Sequence, residues 1–283
     1  MRWSSPLPDE WRRYLAQQME LGGAEVFVER RATAPPSALQ PDMPDEPAAL
    51  EALESPEAPN PSAGLTTADE PKWKKGAPPI PGPGLRVETP APGLLGADLS
   101  SLATLEAIAE RIRSTSCCEL CAYRANAVPG EGDPHARLML VGEGPGANED
   151  ATGRPFVGQA GKLLDDILEA IEVPRKTVYI TNIVKCRPPQ NRKPLPDEIA
   201  ACLPYLYRQI ELIRPKLIVA LGGTAAEALL GVRKGLGELR SKVHTLNGIP
   251  LVVTYHPAAL LRNPNWKKPT WDDIRIVRQL LDR

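Results

Sequence analysis

Five cysteines are the residues of this 283-residue chain whose type and spacing most directly indicate chemistry. Cys118 and Cys121 have the C-x-x-C spacing of one corner of a tetrahedral metal site, and Cys186 and Cys202 follow further along the chain. Four thiolates can hold zinc or a 4Fe-4S cluster, and spacing does not separate the two. The alternative is two buried structural cysteines and an incidental C-x-x-C pair. Cys117 is a spare thiol that can compete with Cys118.

A second candidate site is a glycine-rich loop between an apolar run at residues 138–141 and a helical pattern at residues 158–171. Glycines let a backbone adopt positive φ and approach a ligand closely. The spacing matches neither the Walker pattern nor the dinucleotide-binding pattern. A structural turn is the alternative to a ligand site at the carboxyl end of a strand. The candidate residues here are Gly142, Glu143, Gly144, Glu149 and Phe156.

These residues need a scaffold that brings distant strand ends together. Strands are predicted at residues 138–141, 178–184, 217–221 and 251–254. Helices are predicted at residues 102–113, 158–171, 197–213, 224–230 and 271–281. Strands that alternate with helices favour a parallel sheet covered on both faces. The predicted fold class is α/β, a three-layer α/β/α sandwich with a central, mostly parallel four-stranded sheet.

The first hundred residues differ in composition from the remainder. They hold 17 of the 32 prolines and a net charge of −6, whereas the remainder carries +5. Apolar residues at helical spacing predict a short amphipathic helix within residues 1–30, which either docks on a protein partner or packs on its own domain. Residues 31–98 are poor in aromatic side chains and are predicted to be a disordered linker. The folded domain is predicted over residues 99–283.

Hydropathy and charge narrow the class of protein further. No apolar run reaches the length of a membrane span, and the start of the chain lacks the pattern of a secretory signal. We therefore expect a cytoplasmic monomer whose cysteines are reduced and act as ligands rather than disulfides. The basic excess after residue 100 permits binding to nucleic acid but does not require it.

Three stretches together resemble the motifs of family 4 uracil-DNA glycosylases. The first is the glycine loop with its acids and residues 155–158, the second is residues 181–189 (TNIVKCRPP), and the third is residues 256–264 (HPAALLRNP). The resemblance covers residues 100–283. It implies a DNA repair enzyme that starts base excision repair by hydrolysing the N-glycosidic bond of uracil in single- or double-stranded DNA. It also implies one structural 4Fe-4S cluster, with ligands Cys118, Cys121, Cys186 and Cys202.

The resemblance implies how a flipped-out uracil is recognised. Phe156 stacks on the ring, which contributes roughly 1–3 kcal/mol per base without reading its identity. Asn182 offers an amide donor and acceptor to O4 and N3, a pattern that cytosine reverses. Glu149 forms the wall that excludes the methyl group of thymine.

The resemblance also implies catalytic roles. His256 donates a hydrogen bond to uracil O2, where negative charge develops, and backbone amides from Gly142 to Gly144 assist. Glu143 is the nearest carboxylate for positioning water or stabilising the cationic sugar. Other uracil glycosylases carry an aspartate at the position of Gly144.

Residues after His256 are predicted to support the flipped-out state. Leu260, Leu261 or Arg262 would wedge into the gap that the base leaves, with core packing as the alternative for the leucines. A related group binds uracil-DNA covalently through a histidine on a basic loop, but residues 187–194 contain no histidine. A non-catalytic uracil-DNA-binding module and a zinc-stabilised nucleotide-binding enzyme are the remaining alternatives.

Overall fold

The computed structural model describes residues 70–89 and 97–283. In this part of the chain the strands are β1 (Pro83–Val87), β2 (Glu131–Gly132), β3 (Leu138–Gly142), β4 (Val178–Asn182), β5 (Leu217–Leu221), β6 (Val243–Leu246) and β7 (Ile249–Thr254). They form one sheet in the order β1-β6-β7-β5-β3-β4-β2.

The four strands predicted from sequence form the contiguous centre of this sheet. β3 pairs in parallel with β4 and β5, and β5 pairs in parallel with β7. The predicted count of four strands was too low. β6 pairs antiparallel with β7, β2 pairs antiparallel with β4, and β1 pairs in parallel with β6. The α/β class and the mostly parallel centre are confirmed.

Helices cover both faces of the sheet. They are α1 (Ala97–Ser100), α2 (Leu105–Ser114), α3 (Ala147–Thr152), α4 (Gln159–Ala170), α5 (Pro196–Ile213), α6 (Gly223–Leu230), α7 (Leu236–Leu239), α8 (Pro257–Arg262) and α9 (Lys267–Asp282). Among the described residues, no helix combines the length and the apolar character needed to cross a membrane.

Alternating side chains of β3 build the two hydrophobic layers. Met139 and Val141 pack with apolar residues of α5 and α6 on one face. Leu138 and Leu140 pack with residues of α4 and α9 on the other face. A strand buried on both faces is apolar throughout, which is why this run lacks a polar alternation. The result is the predicted three-layer sandwich.

The structure corrects the predicted linker over part of its length. Trp73 is only 5% exposed and packs in the layer beneath α9, with the guanidinium of Arg278 5.1 Å from its ring centroid. β1 joins the sheet, and the Leu85 amide donates to His244 Nδ1 at 3.0 Å. The folded domain therefore starts near Glu70 rather than at residue 99. The helix predicted within residues 1–30 lies outside the described residues.

The parallel centre brings three strand ends to one edge. Gly142 ends β3 directly opposite Asn182 at the end of β4, and Thr254 ends β7 two residues before His256. The chain passes from β4 back across β3 to β5, which makes a topological switch point. Crevices at such points are the usual ligand sites of open α/β sheets.

Candidate active site

A cavity of about 350 Å³ opens at this carboxyl edge, within the usual size range of small-molecule pockets. It brings together most of the predicted site residues, namely Glu143, Gly144, Glu149, Phe156, Asn182, His256 and Arg262. It is also lined by Pro188, Asn191 and Arg192, which the sequence analysis did not assign. The available signal was their position, since Pro188 lies within the motif at residues 181–189 and the other two follow it closely.

Asn182 supplies a buried polar group that the described residues leave unsatisfied. Its side chain is 1% exposed, and Oδ1 has no hydrogen-bond partner among the described residues. A buried acceptor without a partner costs about 1–3 kcal/mol, so such groups usually await a ligand. A Cβ on Gly142 would lie 2.4 Å from this Oδ1, so only glycine fits opposite the amide.

Lys185 fixes the backbone that carries this amide. Its completely buried ammonium donates to the Asn182 carbonyl at 2.9 Å, to Thr181 Oγ1 at 2.6 Å and to Gln209 Oε1 at 2.8 Å. Burial lowers the pKa of Lys185 to about 7. The lysine directly precedes Cys186, so it connects the Asn182 strand end to the cysteine group.

Phe156 forms an apolar wall of the cavity. Its ring is 6% exposed and lies 5.4 Å from the His256 ring, centroid to centroid. The residue has φ +52°, a left-handed conformation that a non-glycine residue adopts only when its surroundings impose it. Gly161 permits this conformation, because a Cβ there would lie 1.9 Å from the Phe156 carbonyl oxygen.

Arg175 holds the strained segment from the other side. Its guanidinium donates to the carbonyls of Phe156 at 3.1 Å and Pro155 at 2.7 Å. It also pairs with Asp165 at 2.8 Å and Glu131 at 2.9 Å. Only the five-donor fork of arginine can reach all four acceptors, so this residue positions the Phe156 ring.

Replacement of Arg175 by lysine tests this positioning. A lysine ammonium has three donors at one point and lacks the planar fork that reaches all four acceptors of Arg175. A displacement of about 1 Å at a reacting centre can cost on the order of a hundredfold in rate. We expect the uracil release that the sequence motifs imply to slow about tenfold or more in Arg175→Lys. The control is Arg208→Lys, which alters an arginine that bridges Leu102 and Glu211. Equal single-turnover rates for the two variants would contradict the role of Arg175.

The Glu149 carboxylate binds backbone amides at both ends of the glycine-rich segment. One carboxylate oxygen accepts from the amides of Val157 at 2.9 Å and Gly158 at 3.0 Å, and the other accepts from Gly146 at 3.1 Å. The side chain therefore joins the loop before α3 to the loop before α4. It is a fixed part of the cavity wall.

His256 is held as one neutral tautomer. Its Nδ1 accepts from the Ala258 amide at 3.2 Å at the start of α8, which leaves the proton on Nε2. Burial, together with a smaller contribution from the positive charge of Arg262, lowers the pKa of His256 to about 4. The imidazole is therefore an uncharged hydrogen-bond donor at neutral pH.

Steric contacts explain the glycines of the loop better than backbone dihedrals do. The positive φ expected for them occurs instead at Gly153 and Phe156. A Cβ on Gly144 would lie 2.7 Å from Val184 Cγ2, which excludes an aspartate unless the chain shifts. Glu143 thus remains the carboxylate next to the strand end, with its carbonyl accepting from the Val184 amide at 3.2 Å.

The residues predicted as a DNA wedge have different surroundings. Leu260 is 1% exposed and belongs to the interior, which argues against a wedge role for it. Leu261 is 46% exposed, and Arg262 is exposed and lines the cavity. Of the three, Leu261 and Arg262 present surface that DNA can reach.

All five cysteines converge on one place. Cys121 Sγ lies 3.9 Å from Cys117 Sγ and 3.7 Å from Cys186 Sγ. The sulfur atoms of Cys117, Cys118 and Cys202 lie within 4.8 Å of one another. These separations are too long for disulfides but suit thiols that share a metal. The predicted four-cysteine frame and the spare Cys117 therefore surround a single site.

Arg124 supports the thiol group electrostatically. Its guanidinium donates to Cys186 Sγ at 3.1 Å and contacts Cys121 Sγ at 3.6 Å. It also donates to the carbonyls of Ile112, Arg113 and Thr115. Burial raises the pKa of Cys186 to about 12, so a metal must displace its proton. A soft, all-sulfur donor set fits a metal centre, either zinc or an iron–sulfur cluster.

The geometry defines a class: an α/β protein with a base-sized pocket at its parallel strand ends and a separate thiol site. The model of the uracil DNA glycosylase superfamily matches residues 129–276, and the chain belongs to this superfamily.

Relatives identify the branch. The type-4 uracil-DNA glycosylase of Saccharolobus solfataricus is 47% identical over 62% of this chain and 86% of its own length. The type-4 uracil-DNA glycosylase of Thermotoga maritima is 47% identical over 56% of this chain and 84% of its length. The type-5 uracil-DNA glycosylase of Thermus thermophilus is 38% identical over 47% of this chain and 70% of its length. The type-4 family is thus the branch indicated, as the sequence motifs predicted.

Proposed function

We propose that this protein is a DNA repair glycosylase that hydrolyses the N-glycosidic bond of uracil in DNA. The observation that carries the proposal is the buried Asn182 Oδ1, which lies beside the Phe156 ring in a base-sized cavity and has no hydrogen-bond partner among the described residues. The printed names of the type-4 relatives support the same activity.

Recognition begins with a uracil flipped out of the helix and stacked on Phe156. Asn182 Oδ1 accepts from uracil N3–H, and its amide donates to O4. Cytosine has an acceptor at N3 and a donor at C4, so it would leave buried groups unsatisfied at about 1–3 kcal/mol each. The fixed Glu149 carboxylate excludes the methyl group of thymine.

Bond cleavage sends the electron pair of the C1′–N1 bond onto uracil and leaves a cationic sugar. His256 Nε2–H donates to O2 as this charge develops, and the neutral imidazole needs no proton transfer. A donor fixed in advance is usually the largest catalytic contribution. Water then adds to C1′ and loses a proton to solvent, from which the departing uracil anion is protonated, with Glu143 placed to orient the water and stabilise the cation.

Outside the pocket, the proposal assigns DNA contacts to α8 and its neighbours. Leu261 would fill the gap left by the flipped base, and Arg262 would contact the phosphate backbone or the sugar. Arg192 and Asn191 also line the cavity.

The resident cofactor in this proposal is a 4Fe-4S cluster held by Cys118, Cys121, Cys186 and Cys202. Such a cluster supplies a cross-link between distant segments, and hydrolysis of a glycosidic bond requires no electron transfer. Reduced thiols are available in the cytoplasm, the location expected from the sequence.

Replacement of Cys186 by serine tests the ligand set. We expect loss of iron, sulfide and visible absorbance, and a thermal unfolding midpoint lower by roughly 10 °C, since losing a native cross-link costs several kcal/mol. The matched control is Cys117→Ser, which should keep all three. Full iron content in Cys186→Ser, or zinc in place of iron in anaerobically purified protein, would contradict the assignment.

The reaction itself is tested with oligonucleotides that carry one uracil. We expect free uracil and an abasic site, with no protein–DNA adduct by mass spectrometry. Tight binding without release of the base would instead favour a non-catalytic module. A covalent adduct would favour the covalent group, which the absence of histidine in residues 187–194 argues against.

A further inference from the structure

Three side chains form a continuous stack beside the pocket. The Tyr255 and Trp266 rings are nearly parallel, with 4.8 Å between centroids and 8° between planes. The Arg240 guanidinium lies 4.4 Å from the Tyr255 centroid. We call this set the Arg240–Tyr255–Trp266 stack.

The stack is anchored at its inner end. Arg240 pairs with the buried Asp273 at 2.8 Å, and Asp273 also accepts from the Thr254 hydroxyl at 2.7 Å. Arg240 donates further to the Pro269 carbonyl at 2.9 Å. Its position is therefore fixed before any ligand binds.

The outer end is fixed as well, yet open to solvent. The Trp266 amide donates to the Asn263 carbonyl, and the Trp266 carbonyl accepts from Thr270 Oγ1 at 2.8 Å. Trp266 nevertheless remains 36% exposed, one of the few large apolar side chains at the surface of the described residues. A rigid exposed indole loses little conformational entropy when it gains a stacking partner.

Basic side chains predominate near this indole along the chain. Residues 255–271 include Arg262, Lys267 and Lys268, all exposed, and the two acids that follow, Asp272 and Asp273, are paired with Arg275 and Arg240. Tyr255 directly precedes His256, and Arg262 lines the cavity. The stack thus lies next to the groups assigned to uracil, within a locally basic surface.

We propose that Trp266 is a stacking platform for an unpaired base of the same DNA strand, next to the flipped uracil. Grooves that combine basic side chains with exposed aromatic rings bind single-stranded nucleic acid, and the stacking is tolerant of sequence. Bases inside a duplex have no free face to offer, so the platform favours single-stranded substrates. The inference rests on the proposed function and extends it to the flanking nucleotide.

The test measures binding apart from catalysis. Fluorescence anisotropy with labelled, uracil-containing single strands gives dissociation constants for wild type, Trp266→Ala, Trp266→Phe and Tyr123→Ala. Tyr123 is a 67% exposed aromatic residue on the segment that carries the cysteines. We expect Trp266→Ala to weaken binding about tenfold, and Trp266→Phe and Tyr123→Ala to stay close to wild type. Duplex binding should change less.

A second series identifies the stacked base. Each substrate in this series lacks the base at one flanking position. Wild type should bind about tenfold more weakly when the stacked base is the missing one, and normally when any other base is missing. The affinity of Trp266→Ala should be the same for all of these substrates. Unchanged single-strand binding by Trp266→Ala, or no coupling at any flanking position, would overturn the proposal. A change in the oligomeric state of Trp266→Ala with unchanged DNA binding would also overturn the proposal, because Trp266 would then serve association of the protein. Failure of wild type to release uracil would refute the proposed function, but the dissociation constants would still test whether Trp266 stacks on a base.

Discussion

Replacement of Asn182 by alanine is expected to lower the single-turnover rate of uracil release by at least about a hundredfold without destabilising the protein. The amide is the group proposed to read the uracil edge, so its loss removes both recognition and orientation. Its Oδ1 has no partner among the described residues, so truncation removes an unsatisfied acceptor rather than a native hydrogen bond. We therefore expect a free energy of unfolding within about 1 kcal/mol of wild type.

Gln209 supplies the contrast for this prediction. It is another buried carboxamide, but it bonds to Lys185 at 2.8 Å, the Pro129 carbonyl at 2.9 Å and the Tyr179 hydroxyl at 3.2 Å. Gln209→Leu should lose several kcal/mol of stability, since it leaves buried partners unsatisfied. If Asn182→Ala releases uracil at near the wild-type rate, or unfolds as readily as Gln209→Leu, the assignment of Asn182 is wrong.

Replacement of His256 by alanine is the second large expected effect, on the order of a hundredfold in the rate of uracil release at saturating DNA. The reason is the loss of the neutral imidazole donor that is proposed to face O2. Binding of product DNA should change little, because the proposed bond strengthens as charge develops. A reduction in affinity with an unchanged rate would contradict a catalytic role.

The pH dependence gives an independent check on His256. Burial lowers its pKa to about 4, so the imidazole is neutral from about pH 5.5 upwards. Protonation at lower pH places a proton on Nδ1 and breaks its bond from the Ala258 amide. The rate should therefore be insensitive to His256 titration between pH 5.5 and 8 and fall towards pH 4. An inflection near 6.5 that disappears in His256→Ala would contradict this state of the ring.

Replacement of Arg262 tests the same titration of His256. Its positive charge lowers the pKa of His256, so Arg262→Gln should move the acidic inflection to higher pH. The position of the inflection, rather than the absolute rate, is the quantity to compare, since Arg262 is also exposed to DNA.

The centre of the fold and the main site residues could be predicted from sequence because each depends on local patterns. Apolar runs identified the four parallel strands, and parallel strands necessarily place Gly142 and Asn182 at the same edge. β1 was missed because its region is rich in proline and glycine. Gly84 is required there, since a Cβ would lie 2.5 Å from His244 Nδ1, yet composition counts that glycine as evidence for a linker.

The internal organisation of the site could not be predicted, because it depends on contacts between distant segments. Arg175 reaches the Phe156 carbonyl across 19 residues, and no local pattern connects the two. The three backbone amides bound by Glu149 likewise come from both ends of its loop. The four-cysteine ligand set was predicted from the motifs, whereas the position of Cys117 Sγ beside Cys121 Sγ is seen only in the structure.

The most direct test of the account compares three bases at one position of the same oligonucleotide. Single-turnover release is measured by chromatography of the free base from deoxyuridine, deoxycytidine and thymidine substrates. The Asn182 amide and the Glu149 wall predict release of uracil, with cytosine and thymine slower by at least about a thousandfold. Comparable release of cytosine or thymine, or no release of uracil by the cluster-containing protein, would contradict the account.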